Sequence, residues 1–596
     1  MLLQRLVEHA ATRPDMPPLY YVPKTLRWFV PVTADGTLAP GGLVDLRPSQ
    51  GTKVPNGKLI PAPDAYRSGA LPPPLLLCDT AEYVLGVARD ETPKADTQAD
   101  RRAGEFAALA QRWVAASPDD PVATAIGKLL DADGLAGIPI PDDLVAGDWV
   151  GIMVDADWAH LRLSAQNLWR EIVAERKGGG RVGLCLVCGT EGTLLSTLPE
   201  SVKAGAIPTS GQVRKTQLIS VNASAHGRDD TLQLAKTPVC DTCGSTGMAA
   251  LNTLLADERH RHRGTSSAFV WWTRDCTDAD PLGTLDDPKP EQVRALIGSI
   301  HDAAHNRATR SRLDPDRFYA LTLGTNSSRV VVKDWLDVPL PDVRDNQGAW
   351  FVDHETWDGW NRAQRWYPLW RLAQAAGRWD RTTSRYTGQL VPHGLDHALL
   401  HSALHRTPPP ASLLPHLLGR VRADCHIDGP RTALLRLILA RSPHEGVCMP
   451  GLDADATDAA YLCGRLFATY ESAQHLALRT VGQDGRRRGP NATVADKFFG
   501  TAMTAPRYVL LNLERGSKGH LKRLRRDQPA AAVALDKQIA AIWGLFGTGA
   551  ENDVLPAVLS PRQQARFVLG YHQQRQAAFQ AAAERAEANA AAAALD

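Results

Sequence analysis

The residues best placed to do chemistry are two pairs of cysteines, Cys185-Leu186-Val187-Cys188-Gly189 and Cys240-Asp241-Thr242-Cys243-Gly244. A tight turn puts both thiols of such a pair on one side, and the glycine that follows relaxes the turn. Two knuckles of this kind supply four thiolates in the tetrahedral set that suits zinc. Four protein ligands leave no position for water or substrate, so the expected site is structural. Another metal or cluster, or no metal, are the alternatives. The 51 residues between the pairs exceed the spacing of a short finger. An insertion over 185–243 must fill that gap. Cys78, Cys276, Cys425, Cys448 and Cys463 read as packed or surface thiols.

Histidines offer a weaker pattern. His393, His397, His401 and His405 recur every four residues on one expected helix. Two histidines at that spacing can share a metal, but a period of four drifts from 3.6, so four cannot converge on one ion. A solvated or partly buried helix face is the simpler reading. His301-Asp302 with His305 has the makings of a metal phosphohydrolase dyad, although adjacent His-Asp arises readily by chance. No phosphate-cradling Gly-rich loop, nucleophile elbow, His-Glu-x-x-His or dense carboxylate cluster is present. No catalytic residue is assigned.

Charge is segregated. Residues 461–530 hold 13 Lys or Arg against 5 Asp or Glu, a local excess of eight on a chain whose formal charge is +2, which leaves −6 for the rest. Arg486, Arg487 and Arg488 form one cluster, and Lys518, Lys522, Arg523, Arg525 and Arg526 a second. Like charges that close destabilise an isolated helix. A solvated face tolerates them, whereas a phosphate backbone would remove the repulsion and bind without regard to sequence. Seven tryptophans between Trp335 and Trp379 read as packing, with Trp366 and Trp370 four apart on a helix.

The elements that must position these groups follow from length and periodicity. A chain of 596 residues exceeds one core, and 44% hydrophobic with 22% charged residues is globular composition. The expected class is α+β. Up to about residue 275 short apolar strands (26–32, 149–154) alternate with turns and with a helical stretch over 97–128. The zinc-bearing insertion belongs to this mixed N-terminal domain, 1–275. A linker and mixed middle region occupies 276–410, and a C-terminal helical bundle 411–596. Helices are expected over 357–376, 395–405, 413–421, 432–439 and 458–477. With no signal peptide, no membrane-spanning run and few cysteines, the expected location is the cytoplasm.

Several segments, in order along nearly the whole chain, resemble the large subunit of the type I-C CRISPR Cascade surveillance complex, the Csd family. They include Leu75-Leu76-Leu77-Cys78-Asp79, Leu218-Ile219-Ser220-Val221-Asn222, Phe269-Val270-Trp271-Trp272 and Phe318-Tyr319-Ala320-Leu321. The C-terminal ones are Tyr461-Leu462-Cys463-Gly464-Arg465-Leu466-Phe467-Ala468 and Leu569-Gly570-Tyr571-His572-Gln573-Gln574-Arg575. The resemblance implies a non-catalytic, RNA-guided subunit that reads a protospacer-adjacent motif (PAM) on double-stranded DNA, helps open it and holds the displaced strand. It implies crRNA, guide-backbone and guide-end-processing subunits, and a helicase-nuclease as partners. It also implies a small subunit made by internal translation, for which Met449 and Met503 are candidate starts. Under it, Lys203, Gln212, Lys215 and Asn222 of the insertion become the candidate PAM contacts, and the basic clusters the displaced-strand path. A stand-alone metal-dependent nuclease and a scaffold without nucleic acid are the competing functions.

Overall fold

The computed structural model describes residues 2–13, 16–48, 56–65, 67, 71–132, 134–176, 181–208, 216–264, 267–275, 282–298, 316–326, 329–443, 448–481, 487–490, 492–547 and 555–593. The chain forms two compact units. The first comprises Met1–Thr277 with Tyr319–Asp337, and the second Asp278–Phe318 with Val338–Asp596.

The first unit opens with helix α1 (Leu2–Ala11), whose apolar stripe includes the buried Leu6 and Ala10. Strand β1 (Tyr21–Val32) then pairs antiparallel with β2 (Val44–Asp45) and with β3 (Lys58–Pro63). It also pairs in parallel with β5 (Trp149–Val154), which in turn takes β4 (Cys78–Thr80) and β6 (Asp157–Trp158) antiparallel. Between β4 and β5 run α2 (Ala81–Val84), α3 (Pro93–Ala116) and α4 (Pro121–Asp131), and α5 (Leu163–Arg176) follows β6. The single helix expected over 97–128 is two. Asp120 ends the break by accepting from the Val122 N–H at 3.0 Å, with Pro121 opening α4. Phe106 and Trp113 of α3, Ile126 of α4 and Trp169 of α5 close one core with Val30 and Ile152 of the sheet. Burying side chains of this size contributes about 1.5–3 kcal/mol each.

A second core of this unit joins the insertion to a second sheet. Hairpin β7 (Val182–Leu184) and β8 (Glu191–Thr193) carries the first cysteine pair, and helix α6 (Asp241–Ala256) starts at the second. Strands β9 (Arg261–Arg263), β10 (Ser267–Thr273), β11 (Arg317–Asn326) and β12 (Arg329–Pro339) form a sheet in the order β12-β11-β10-β9. Every residue of β10 is buried, as expected of a strand covered on both faces. Leu6, Leu198, Val202, Leu251, Val270 and Leu321 meet in this core. Leu195, Leu198, Val202, Ile207 and Leu234, which lie between the knuckles, are folded into it.

The second unit is predominantly helical. Helix α7 (Leu340–His354) leads into hairpin β13 (Thr356–Asp358) and β14 (Ala363–Arg365), then α8 (Leu369–Ala375) and the short pair β15 (Trp379–Asp380) and β16 (Arg385–Tyr386). The helix expected over 357–376 is thus largely a hairpin. Asp358 Oδ1 accepts from the N–H groups of Trp360 and Asn361 at 3.1 Å each, Arg362 adopts φ 50°, and Pro368 precedes the short helix. Turn chemistry overrode the apolar run. Trp366 is buried and lies outside any helix, whereas Trp370 on α8 is exposed.

Helices α9 (Leu395–His405), α10 (Leu413–Asp424), α11 (Gly429–Ala440) and α12 (Ala459–Ala477) fall where the periodicity placed them. Beyond α12 come strands β17 (Thr480–Val481) and β18 (Arg487–Arg488), then α13 (Val494–Thr504), α14 (Pro506–Asp527), α15 (Pro529–Leu545) and α16 (Pro561–Ala593). The expected α+β class, with a mixed N-terminal half and a C-terminal helical region, is what the chain forms. Among the described residues no helix is long and apolar enough to cross a membrane.

Candidate metal centre and nucleic-acid face

The hairpin and the helix start bring the four cysteines to one point. Cys185 and Cys188 lie in the turn that links β7 to β8, Cys240 caps α6 and Cys243 lies in its first turn. The sulfur atoms of Cys185, Cys188, Cys240 and Cys243 all lie within 4.8 Å of one another. The local fold follows from backbone bonds. Gly189 N–H donates to Cys185 O at 2.9 Å with Gly189 at φ 73°, a left-handed position that a side chain would strain. Gly244 differs: it is helical, and its N–H donates to Cys240 O at 2.9 Å. Leu186 N–H donates to Pro238 O and Leu195 N–H to Val239 O, both at 2.9 Å, which ties the first knuckle to the second.

Peptide N–H groups also point at the sulfurs. Val187 and Cys240 N–H each donate to Cys185 Sγ at 3.3 Å, and Cys243 N–H to Cys240 Sγ at 3.4 Å. Such bonds favour thiolate. Cys188 is the exposed member, with the Thr190 hydroxyl 3.0 Å from its sulfur. Hydrogen bonds from Thr190, side chain first and backbone second, hold its thiol down to about 6. Burial pushes Cys240 and Cys243 up, and a bound cation supplies the charge that would keep such thiols ionised. The cluster could hold a metal ion.

Of the candidate PAM contacts, Lys203 lines a cavity beside Asn252, and its N–H donates to Asn252 Oδ1 at 3.2 Å. Asn222 is exposed, and its Oδ1 accepts from Arg329 of β12 at 2.6 Å. Gln212 and Lys215 lie outside the described residues, as do Arg486 and the trio His301, Asp302 and His305. Arg487 and Arg488 form β18, paired with Val481 and Thr480. His393 sits in the turn before α9, so three histidines occupy that helix. The rings of His401 and His405 stack at 4.1 Å.

The second basic cluster lies on α14, whose buried side is Leu510, Ser517, Leu521 and Leu524. Lys518, Lys522, Arg523, Arg525 and Arg526 are exposed on the other side. Neighbouring carboxylates temper the expected repulsion: Arg525 pairs with Asp536 at 2.5 Å, Arg526 with Asp527 at 2.7 Å and Arg523 with Asp527 at 3.6 Å. Counting charge alone missed the start of this face. Tyr508 (72% exposed), Leu511, Arg515, Lys518 and Lys522 follow each other at three- and four-residue steps. They make one line about 21 Å long at 1.5 Å per residue. That spacing was the available signal.

The sequence matches the family described as CRISPR-associated protein (Cas_Csd1) from residue 3 to residue 579. The chain belongs to that family. No curated protein matches it. In this Cas_Csd1 chain the two C-terminal motifs face each other across α12 and α16. Tyr461 donates to Gln573 Oε1 at 2.5 Å, Arg465 to Gln574 Oε1 at 3.1 Å, and Tyr571 to Glu471 Oε2 at 2.7 Å. A Cβ on Gly464 would lie 2.0 Å from Phe567 O, and one on Gly570 2.2 Å from Tyr461 O. The backbones therefore touch, which only glycine permits. The motif Phe269-Val270-Trp271-Trp272 lies in the fully buried β10. Family membership makes the protein CRISPR-associated.

Proposed function

We propose that this chain is the large, non-catalytic subunit of a type I-C CRISPR RNA-guided surveillance complex. In that role it reads the PAM on double-stranded DNA, helps unwind the target, stabilises the R-loop and displaced strand, and recruits the helicase-nuclease that cuts. Guide pairing supplies sequence specificity, and exchanging one duplex for a heteroduplex is nearly balanced in energy. A few protein contacts then tip the exchange. The observation that carries the reading is the exposed line of α14, where Arg515, Lys518 and Lys522 follow Tyr508. Cations track a backbone and an aromatic ring takes a base, which is the composition of a sequence-tolerant single-strand track.

Zinc is the metal that suits the four thiols. A Zn–S bond of about 2.3 Å sets tetrahedral sulfurs about 3.8 Å apart, and Cys188 Sγ lies 3.9 Å from Cys240 Sγ. Cys185, Cys188, Cys240 and Cys243 would hold it as a closed structural site. For the internally translated small subunit, a start at Met449 keeps both α12 and α16. A start at Met503 would discard the helix on which Gly570 packs.

The test is a mobility shift with the complex assembled on crRNA. PAM-bearing matched duplex should shift, and the isolated chain with divalent metal should leave DNA intact. Cleavage by the isolated chain, or a complex indifferent to matched duplex, overturns the reading.

A further inference from the structure

The first unit holds a partly open cavity of about 500 Å³ bordered by β1, β5, α6, the residues that follow β3 and the segment between the knuckles, a volume within the roughly 300–1,000 Å³ range of small-ligand sites. Its lining includes Lys24, Arg67 and Lys203 against Asp64, with Glu200 and Asn252. Lys24 Nζ lies 3.1 Å from Asp64 Oδ1 and 4.8 Å over the Trp149 ring, and Arg67 is bidentate on Asp79. These cations are therefore fixed in place. Asn252 is committed to the loop: Oδ1 accepts from Lys203 N–H, and Nδ2 donates to Ser201 O at 3.1 Å.

Glu200 is the group that packing leaves incomplete. It is 5% exposed, its Oε2 faces Asn252 Nδ2 at 3.5 Å, and its Oε1 has no hydrogen-bond partner. The charged groups whose fields reach it are Asp64 just after β3, Lys24 of β1 and Lys203 of its own segment. Burial first, and Asp64 next, raise its carboxyl to about 8. At neutral pH it is a buried O–H donor among cations, a setting matched by the oxygens of an anion.

We propose that this cavity is an oxyanion subsite that takes a phosphodiester phosphate or a free inorganic oxyanion among Lys24, Arg67 and Lys203, with the Glu200 carboxyl donating its O–H. Ionised, Glu200 repels the same ligand, so binding is lost as pH rises through the alkaline range. The proposal goes beyond the surveillance role and does not rest on it.

Calorimetry on the metal-loaded full chain tests it with two probes that stay fully ionised from pH 6.5 to 9.5. Sodium sulfate represents a free oxyanion, and an eight-nucleotide oligodeoxyadenylate with hydroxyl ends represents a phosphodiester. At least one should bind roughly tenfold or more weakly at pH 9.5 than at pH 6.5. Glu200→Gln, which keeps an N–H donor, should flatten that dependence, and Lys203→Gln should weaken binding about tenfold. Each variant is compared at its wild-type melting profile. Sulfate binding assigns the subsite to free oxyanions, and binding of the oligonucleotide alone to nucleic acid. Failure of both probes, or a pH dependence unchanged in Glu200→Gln, overturns the subsite. A complex that shifts duplex while both probes fail would overturn the subsite alone.

Discussion

In the first unit, four thiols from distant parts of the sequence meet between a two-stranded hairpin and a helix start, inside a core where α1, α6, β10 and β11 meet the largely irregular described chain between the knuckles. In the second, α12 and α16 touch backbone to backbone at Gly464 and Gly570. Guanidinium groups there serve as buried ties, the part that a metal held by the four thiols would play in the first unit. Arg431, fully buried, donates to Ala375 O at 3.1 Å and to His426 O and Gly377 O at 2.9 Å each, and pairs with Asp424 at 2.5 Å. A segment with little regular structure needs an external staple, whereas long helices with small contact residues supply their own. The two units should accordingly respond to different insults.

The largest effect expected is metal removal. A strong chelator, or Cys240→Ser with Cys243→Ser, should abolish the first unit's melting transition and leave that of the second in place, since structural zinc is worth on the order of 10 kcal/mol. Calorimetric scans that show both transitions unchanged would remove the distinction between the units. Gly464→Val is the reciprocal experiment. Its side chain must displace the Phe567 carbonyl, so the second unit should lose about 3 kcal/mol or more, read as a shifted denaturation midpoint with the first unit's midpoint held.

Acid should sharpen the contrast. Burial keeps His572 down to about 4 and His354 to about 3, each neutral in the fold. The unfolded chain binds protons near 6.5 that these folded imidazoles refuse. The second unit therefore loses stability as pH falls from about 6.5 toward 4, at roughly 1.4 kcal/mol per pH unit for each histidine. In the first unit His160, which burial lowers to about 4, acts in the same sense, and Glu200 acts in the opposite one. Its folded carboxyl is raised to about 8, so the contribution is present below about 4.5 and is lost as pH rises to 8. Urea titrations across pH check both slopes, and Glu200→Gln should flatten the second of these alone. The smallest effect separates the two halves of the α14 face. Reversing Arg523, Arg525 and Arg526, which already have carboxylate partners, should change the salt dependence of target binding less than reversing Arg515, Lys518 and Lys522.

Much of this contrast was legible in the sequence. The two Cys-x-x-Cys pairs announced the four-thiol cluster because thiol spacing is local. The helices over 395–405 and 458–477 followed from apolar period, while the structure adds the Asp458 cap of α12, which accepts from Tyr461 N–H at 2.8 Å. The hairpin at Trp357 was hidden because its tryptophans mimic a helical apolar run, and its Asx turn outweighs them. The facing of Tyr461 and Gln573 was not legible, since nothing local in either helix names its partner. Glu200 reads as an ordinary loop acid until the fold removes its water. Tyr508 and Arg515 escaped notice because they precede the dense charge.

The central claim is that the exposed line of α14 grips nucleic acid in an RNA-guided complex, and it is tested most directly by the salt dependence of matched-duplex affinity. The measurement compares the assembled complex with its Arg515→Glu, Lys518→Glu, Lys522→Glu variant. The account predicts weaker binding to every target sequence and a log–log slope shallower by about 2. Identical affinities and slopes for the two complexes would contradict it.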